Sequence, residues 1–328
     1  MTYRQAKVHK KVAILWHNGG RLANQLWLYI SVVAYCAEEG YELHNYSFFE
    51  YAHYFNTQPQ DKLARILLFQ PYRFLWLLSS VFTRHPGRLS TYLFRKYYRA
   101  LIAIFSLFIK KRTIRADPDS RPVYLPPSEG SYHRFMDFDT DENNSIYLMG
   151  WLFRNPTGIA KYHKEIVATF KPRKLYSDKA EDIVHTLRQQ YKCIVGVHIR
   201  QGDYVRNYYN GELYFSEAEV NTFCMEMLQI YELPKSETCF VICSDGPIAR
   251  KEFSPDLQIK VSDNSEIVDL LLLASCDYIL GSNSTFAGFA SYYGDKPLIV
   301  FQRTGIDWNH YRGRNHFFAD PYLTSVHF

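Results

Sequence analysis

An α/β fold built on parallel sheets is predicted for this chain of 328 residues. The first observation is that the chain opens with a short apolar strand, a glycine turn and an amphipathic helix. The second is that its second half alternates apolar strands with helices, as in parallel sheets covered by helices on both faces. Because the length is about twice that of a usual single domain, we expect two domains.

The first α/β unit lies at the N-terminus. Residues 12–16 form a continuous apolar run that predicts a buried strand, and two glycines after it predict a turn. Apolar residues then recur at helical spacing from Leu22 to Ala37, and Gly40 predicts the end of this helix. Residues 41–48 predict the next strand.

Residues 50–130 predict a helical insertion that is rich in aromatic and basic residues and ends in a loop-like, proline-rich stretch, 117–130. No acidic residue occurs between Asp61 and Asp117, although the formal net charge of the whole chain is only +5. The same stretch holds twelve basic residues, namely Lys62, Arg65, Arg73, Arg84, Arg88, Arg95, Lys96, Arg99, Lys110, Lys111, Arg112 and Arg115. We place the boundary between an N-terminal domain, 1–160, and a C-terminal domain, 161–328.

The second half predicts its architecture through regular alternation. The pair Ser216 and Glu219 forms a capping box that predicts the start of one helix. The predicted helices are 178–190, 216–231, 266–275 and 285–293, and the predicted strands are 192–199, 238–243, 278–280 and 297–301. These elements predict a Rossmann-like domain with a parallel sheet.

Ligands of open parallel sheets bind beyond the carboxyl ends of the strands, so polar residues there are candidates for a site. His198 and Arg200 end the first strand of the second half and project from the same side. An imidazole and a guanidinium together suit a phosphate or a pyrophosphate. The alternative is a structural ion pair between Arg200 and Asp203 on a solvated loop.

Two further strands end in polar clusters. Ser244 and Asp245 follow the second strand, where a carboxylate can accept hydrogen bonds from a ribose or a guanine edge, or can simply shape a turn. A hydroxyl-rich turn into a helix follows the third strand and consists of Ser282, Asn283, Ser284, Thr285 and Phe286. Helix N-termini bind anions, whereas capping by Ser284 needs no ligand.

Four stretches resemble the GDP-fucose-dependent fucosyltransferases of the α-1,2 type and their α-1,6 and protein O-fucosyl relatives. They are GRLANQLW at 20–27, HIRQGDYV at 198–205, CSDG at 243–246 and DLLLLASCDYILGSNSTFAGFA at 269–290. The resemblance implies a GT-B fold, in which two Rossmann-like α/β domains face each other across a cleft. It covers most of the chain outside residues 50–130.

The resemblance also implies an activity, the inverting transfer of L-fucose from GDP-β-L-fucose to a saccharide hydroxyl, without a metal or another cofactor. An α-1,2 linkage and a surface polysaccharide or O-antigen, carried on a lipid, are expected for the acceptor. By the resemblance, Arg200 would hold the β-phosphate and stabilise the departing GDP. The nucleotide would contact His198, Asp203, Ser244, Asp245, Ser282, Asn283, Ser284, Thr285 and Phe286, with Gly20, Asn24 and Gln25 reaching it from the N-terminal domain.

An inverting transfer needs a base for the acceptor hydroxyl. His17, at the end of the first strand, is a candidate by position, and a purely structural histidine is the alternative. Asp137 and Asp139 are further candidates. The pairs Asp117 with Asp119 and Asp137 with Asp139 also match the D-x-D pattern of metal-dependent GT-A glycosyltransferases, which is the alternative enzymatic hypothesis.

The basic aromatic segment, residues 62–116, has two non-enzymatic interpretations. Interleaved Arg and Tyr suit a nucleic-acid surface. We prefer peripheral binding to an anionic membrane and expect no nucleic-acid partner, because apolar runs flanked by Lys and Arg without acidic residues are typical of membrane-surface helices.

A cytoplasmic location is predicted from the six cysteines and from the lack of a secretory signal. Of these cysteines, Cys239 and Cys243 are expected in the core.

Overall fold

The computed structural model describes residues 10–17, 20–55, 65–82, 86–109, 113–116, 121–130, 145–205, 211–318 and 320. Two compact units meet in the chain between Lys171 and Pro172. The predicted boundary lay at residues 160 and 161, whereas two short helices after residue 155 stay with the N-terminal unit. The ring of Phe170, which follows these helices, packs edge-on against Tyr29 at 4.7 Å.

The N-terminal unit is built on a parallel sheet. Its strands are β1 (Lys11–Trp16), β2 (Glu42–Asn45), β3 (Thr113–Arg115), β4 (Val123–Tyr124), β5 (Ile146–Met149) and β6 (Phe153–Arg154). The main sheet has the order β2-β1-β5-β3, and β4 pairs with β6 alone. The helices are α1 (Leu22–Glu39), α2 (Gln70–Phe82), α3 (Pro86–Ile109), α4 (Pro156–Lys161) and α5 (His163–Thr169).

The predicted opening unit is present with small shifts of its ends. α1 ends at Gly40, whose φ of 70° is the left-handed conformation that favours glycine. β2 is shorter than the predicted strand 41–48. It ends at Asn45 because that side chain accepts the backbone N–H of Ser47 at 3.0 Å and turns the chain.

The described parts of the insertion between residues 65 and 109 are helical, as predicted. A π-helical turn, Arg65–Phe69, precedes α2, and α3 follows. Both helices pack on the sheet through an aromatic cluster formed by Trp16, Phe49, Tyr72, Phe94 and Tyr98. The helical prediction is wrong at residues 113–115, which form β3, and β4 lies within the stretch predicted as a loop. Strands of two or three residues are too short to show a period.

The C-terminal unit is a doubly wound α/β domain, as predicted. Its strands are β7 (Cys193–Ile199), β8 (Thr238–Ser244), β9 (Gln258–Val261), β10 (Tyr278–Gly281) and β11 (Leu298–Val300), in the order β11-β10-β7-β8-β9. Its helices are α6 (Lys174–Arg188), α7 (Glu217–Ile230), α8 (Glu266–Ala274), α9 (Thr285–Gly294) and α10 (Trp308–Tyr311). Every strand pairing is parallel.

The order of these strands reverses direction between β7 and β10. From β7 the chain winds outward through β8 and β9, and it then returns to the other side of β7 to form β10 and β11. This is the topological switch point at which doubly wound domains bind ligands. The sequence missed β9 because its residues lie at the sheet edge, half-exposed or exposed, and show no apolar run.

Local sequence signals explain the helix starts of this unit. The capping box is present: Ser216 Oγ accepts the N–H of Glu219 at 3.4 Å, and Glu219 Oε2 accepts the N–H of Ser216 at 2.8 Å. The six cysteines are free thiols, and Cys239 and Cys243 lie in the core, as expected. Among the helices that the structure describes, none combines the length and the apolar character needed to cross a bilayer.

Candidate functional site

The C-terminal sheet brings two of the predicted polar clusters together at its switch point. β10 pairs with β7, and Gly281 is the partner of His198 in the register. The N–H of Ser282 donates to the carbonyl of His198 at 3.0 Å. The two clusters therefore lie side by side at the carboxyl edge of the sheet.

Arg200 connects these clusters to the third one. Its Nη1 lies 2.7 Å from Asp245 Oδ2, and its Nη2 lies 2.7 Å from Asp203 Oδ1. Its backbone N–H donates to Ser282 Oγ at 3.0 Å. The structural alternative, a pair with Asp203, is thus present, but the guanidinium also bridges to the loop after β8.

Asp245 fixes the loop after β7 through both carboxylate oxygens. While Oδ2 accepts from Arg200, Oδ1 accepts the backbone N–H of Gln201 at 2.8 Å. Ser244 Oγ accepts the N–H of Gly246 at 3.2 Å and shapes the turn. Positioning of Arg200 is therefore the role of Asp245 that the described contacts show.

His198 is a buried, neutral imidazole. Its ring stacks on Phe286 with centroids 5.1 Å apart, and Nδ1 lies 3.2 Å from Ser284 Oγ. Burial lowers the pKa of His198 to about 3, and the positive charge of Arg200 lowers it further in the same direction. A neutral imidazole offers one donor and one acceptor, so His198 contributes hydrogen bonds but no charge.

The hydroxyl-rich turn is rigidly held. Ser284 caps α9, because its Oγ accepts the N–H of Ala287 at 3.2 Å, which is the capping alternative of the sequence analysis. Ser282, Asn283 and Ser284 are buried, whereas Thr285 and Phe286 are half-buried. The more accessible part of the turn is thus the first turn of α9, where backbone N–H groups favour anions.

Two residues of the site were missed by the sequence reasoning. The hydroxyl of Tyr204 donates to the carbonyl of Asn283 at 2.7 Å, and its ring centroid lies 5.7 Å from Cζ of Arg200. Gln201 Nε2 donates to the carbonyl of Pro247 at 2.9 Å. Both residues lie within the stretch 198–205, so their closeness to Arg200 in the chain is the sequence signal that could have identified them.

The charges of this cluster do not favour an anion by themselves. Arg200 carries one positive charge, Asp203 and Asp245 carry two negative charges, and His198 is neutral. The side chain of Asp203 is 39% exposed, against 20% for Asp245. Because Asp203 has the more accessible side chain of the two, it is the partner that an anionic ligand can more easily displace from Arg200.

Two of the predicted residues of the N-terminal unit, His17 and Gln25, lie against Glu50. His17 is buried, stacks on Trp16 at 4.8 Å and places Nε2 3.9 Å from Glu50 Oε1. Gln25 is also buried, and its Nε2 donates to Glu50 Oε2 at 3.5 Å. These contacts give His17 and Gln25 a place in the core of this unit.

Gly20 and Asn24 shape the turn into α1. Gly20 has a φ of 80°, and a Cβ at this position would lie 2.6 Å from Asn24 Cβ. Only glycine therefore fits against the half-buried Asn24. The D-x-D pairs and the base candidates Asp137 and Asp139 lie outside the described residues. Within the described ranges, no group of three or more His, Cys, Asp or Glu side chains is placed to hold a metal ion.

Comparison with known proteins agrees with this fold. Residues 161–306 match the sequence model of Glycosyl transferase family 11. A crystal structure of POFUT1 in complex with GDP is similar over 90% of this chain and 99% of its own, with a TM-score of 0.52 and 13% identity. The fucosyltransferase NodZ from Bradyrhizobium is similar over 88% of this chain and 95% of its own, with a TM-score of 0.50 and 15% identity. No curated protein sequence matches the chain significantly.

The solved structures show the fold, and the family match covers most of the unit that holds the switch-point cluster. Together they confirm the resemblance that the sequence motifs predicted. The fold is of the kind found in GT-B fucosyltransferases, with two α/β units built on parallel sheets. This protein is a glycosyltransferase whose residues 161–306 carry the pattern of glycosyl transferase family 11.

Proposed function

We propose that the protein transfers L-fucose from GDP-β-L-fucose to a saccharide hydroxyl with inversion. The observation that carries the proposal is the meeting of Arg200, Asp245 and the turn at residues 282–286 at the switch point of a domain that matches family 11. Support for the donor comes from a similar structure, POFUT1 in complex with GDP-fucose, which aligns with 92% of this chain at a TM-score of 0.51.

Arg200 is the group that stabilises the departing diphosphate in this proposal. Its Nη1 stays on Asp245, while Nη2 leaves the half-buried Asp203 for a phosphate oxygen. The N-terminal turn of α9 adds backbone N–H groups beside it. Charge that develops on the leaving GDP then meets a guanidinium already held in place, which is how preorganised groups accelerate a reaction. This arrangement requires no metal ion.

The motifs predict guanine or ribose recognition by Asp245, in the loop after β8. Asp245 uses both oxygens to hold Arg200 and Gln201. We therefore propose that Asp245 acts on the nucleotide mainly by positioning Arg200, with Ser244 beside it. His198 supplies a neutral hydrogen-bonding edge next to the phosphates.

The acceptor and the base are proposed from fewer observations than the donor. An α-1,2 linkage to a lipid-carried surface polysaccharide rests on the motifs shared with α-1,2 fucosyltransferases. His17 is proposed as the base only from its position directly after β1, since its buried side chain, 3.9 Å from the carboxylate of Glu50, also fits the structural alternative. The cytoplasmic location rests on the six free thiols.

Calorimetric titration of GDP and of UDP, with EDTA present, tests the donor site. We expect GDP to bind to the wild-type protein and UDP to bind much more weakly. Arg200→Ala should reduce the free energy of GDP binding by about 3 kcal/mol, as for one partner of a buried charge pair. Binding of UDP that requires added Mn²⁺ would instead favour the D-x-D hypothesis.

Arg188→Ala is a matched control for Arg200→Ala. Arg188 forms a bidentate pair with Asp277 in the same unit, with both contacts at 2.6 Å, but near the amino end of β7. Its loss should leave GDP binding unchanged. Equal loss of GDP binding in both variants would mean that the effect is a general destabilisation of the unit and would contradict the assignment of Arg200.

A further inference from the structure

The outward surface of the hairpin formed by α2 and α3, residues 70–109, is apolar to an unusual degree. Twelve of the sixteen large apolar side chains that the structure shows as exposed lie on these two helices, between Phe74 and Phe108. Contiguous exposed apolar surface of this kind marks an interaction site. The same two helices already bury their inner faces in the aromatic cluster of the N-terminal unit.

α2 has a second apolar face besides the one that packs on the core. Tyr72 is buried in the aromatic cluster, and its hydroxyl lies 3.0 Å from Thr91 Oγ1 of α3. Phe74, Leu78 and Val81 follow at intervals of four and three residues, which places them along one side of the helix. Phe74 is 65% exposed and Val81 is 75% exposed. Their spacing is typical of a buried helix face, yet they face solvent.

α3 shows the same arrangement. Its core face is formed by Phe94, Tyr98 and Ile102. A second stripe recurs at intervals of four, seven and three residues and consists of Leu93, Tyr97, Ile104 and Leu107. Leu107 is 77% exposed. The hairpin therefore presents apolar side chains from both helices on surfaces that the core does not use.

Positive charge accompanies these apolar stripes. Arg73, Lys96 and Arg99 are exposed on the two helices. Nζ of Lys96 lies 4.6 Å from the ring centroid of Tyr92, a contact that keeps the ammonium beside an exposed aromatic ring. No acidic residue occurs between Asp61 and Asp117. The whole segment therefore carries a single sign of charge.

We infer that this hairpin face binds an anionic lipid surface. The apolar and aromatic side chains would enter the boundary between headgroups and acyl chains, and the Arg and Lys side chains would meet lipid phosphates. The helices would lie in the plane of the membrane. A second copy of the chain fits less well, because a two-fold interface would set the same basic patch against itself.

Vesicle flotation with the full chain tests this inference. The vesicles contain phosphatidylcholine alone, or phosphatidylcholine with about 30% phosphatidylglycerol, at low salt and at about 0.5 M salt. One variant, Phe74→Ser with Val81→Ser, removes apolar contacts, and another, Arg73→Glu with Lys96→Glu, reverses charge. Leu175→Ser and Lys251→Glu are the matched controls, since both residues are exposed in the C-terminal unit, Leu175 to 74%.

The wild-type protein should float with anionic vesicles and at least about tenfold less with neutral ones, and high salt should weaken binding. Each hairpin variant should lose about tenfold or more in vesicle affinity, with an unchanged circular dichroism spectrum, while both controls bind like the wild type. No flotation with anionic vesicles would overturn the inference, and so would flotation that both hairpin variants retain.

Size-exclusion chromatography tests whether a second copy of the chain, instead of a lipid surface, occupies this face. A wild-type dimer that becomes a monomer in the Phe74→Ser with Val81→Ser variant, together with no vesicle binding, would assign the face to self-association and overturn the lipid assignment. Vesicle binding by the wild-type protein, with the same oligomeric state in the wild type and in this variant, would support the lipid assignment. The inference rests on the hairpin alone, so it holds or fails independently of GDP binding by the C-terminal unit.

Discussion

Nη1 of Arg200 lies 2.7 Å from Oδ2 of Asp245, and this contact joins the ends of the adjacent strands β7 and β8. The second oxygen of Asp245 accepts the N–H of Gln201, so the carboxylate holds both the side chain and the backbone beside it. Asp203, the other partner of Arg200, has a more accessible side chain, 39% exposed against 20% for Asp245. The two carboxylates should therefore have different functions.

We predict that Asp245→Asn weakens GDP binding by about 2 kcal/mol, because an amide nitrogen facing Nη1 removes a charge-assisted hydrogen bond and lets Arg200 move. Asp203→Asn is the matched change and should leave GDP affinity equal or raise it, since a competitor for Nη2 is lost. Calorimetric titration of both variants measures the difference. A similar loss in both would show that Asp245 is not the anchor.

The neutral state of His198 predicts a pH dependence of stability. Its pKa lies near 3 in the folded protein because of burial, and near 6.5 when unfolded, so the unfolded chain binds more protons between these values. The stabilising contribution is present above pH 6.5 and is lost as the pH falls toward 3. His198→Gln should reduce the difference in unfolding free energy between pH 7 and pH 5 by about 2 kcal/mol. Urea unfolding at both pH values measures it, and an unchanged difference would contradict the buried neutral imidazole.

The C-terminal unit was largely predictable because its strands are buried on both faces and read as continuous apolar runs. The cluster of His198, Arg200 and Ser282 followed from the rule that ligands bind at the carboxyl ends of strands. What the sequence could not show is which strands are neighbours. The strand order places β7 beside β10, and this pairing brings Arg200 into contact with Ser282. The sequence does not show that contact.

In the N-terminal unit, prediction failed where elements are short or their partners are distant in the chain. β3 has three residues and β4 has two, and both form by pairing with strands that come later. Glu50 was not a candidate, although His17 and Gln25 both lie against it. Its role depends on a contact with Arg95, 45 residues away, for which no local pattern exists.

Asp269 should show the opposite pH dependence to His198. Burial raises the pKa of Asp269 to about 6, while Ser262 Oγ donates to its Oδ1 at 2.5 Å. Because the folded protein holds this proton more tightly, the stabilising contribution is complete below about pH 4 and is lost as the pH rises through 6. Asp269→Asn should stabilise the protein by about 2 kcal/mol at pH 7.5 and hardly at pH 4. Thermal unfolding at both pH values checks this, and stabilisation that is independent of pH would argue against a titrating carboxylate.

Gly294 lies where α9 packs closely against α8. A Cβ at Gly294 would lie 2.0 Å from the carbonyl oxygen of Ala274, a backbone atom that cannot move alone. Gly294→Ala should cost about 3 kcal/mol, because overpacking forces a shift of the helix. Gly305→Ala is the control: its φ of 88° strains any side chain, but no atom lies within 4 Å. It should cost about 1 kcal/mol. Equal shifts in melting temperature would show that α9 has room to move.

The last prediction concerns Glu50, which is 5% exposed and ties the basic hairpin to the sheet of the N-terminal unit. Its carboxylate accepts from Arg95 Nε at 2.6 Å and from Nη2 at 2.9 Å. Glu50→Gln removes the charge but keeps the shape, leaving the half-buried guanidinium of Arg95 without its counter-ion, so unfolding should become easier by about 3 kcal/mol. Asp178→Asn breaks an exposed pair with Lys174 and should change the melting temperature little.

Because the GDP site is assigned to the C-terminal unit, Glu50→Gln should also leave GDP affinity unchanged below its melting temperature. Loss of GDP binding by the folded variant would mean that Glu50 acts on the nucleotide site, and a melting temperature equal to that of Asp178→Asn would mean that the buried pair does not stabilise the unit.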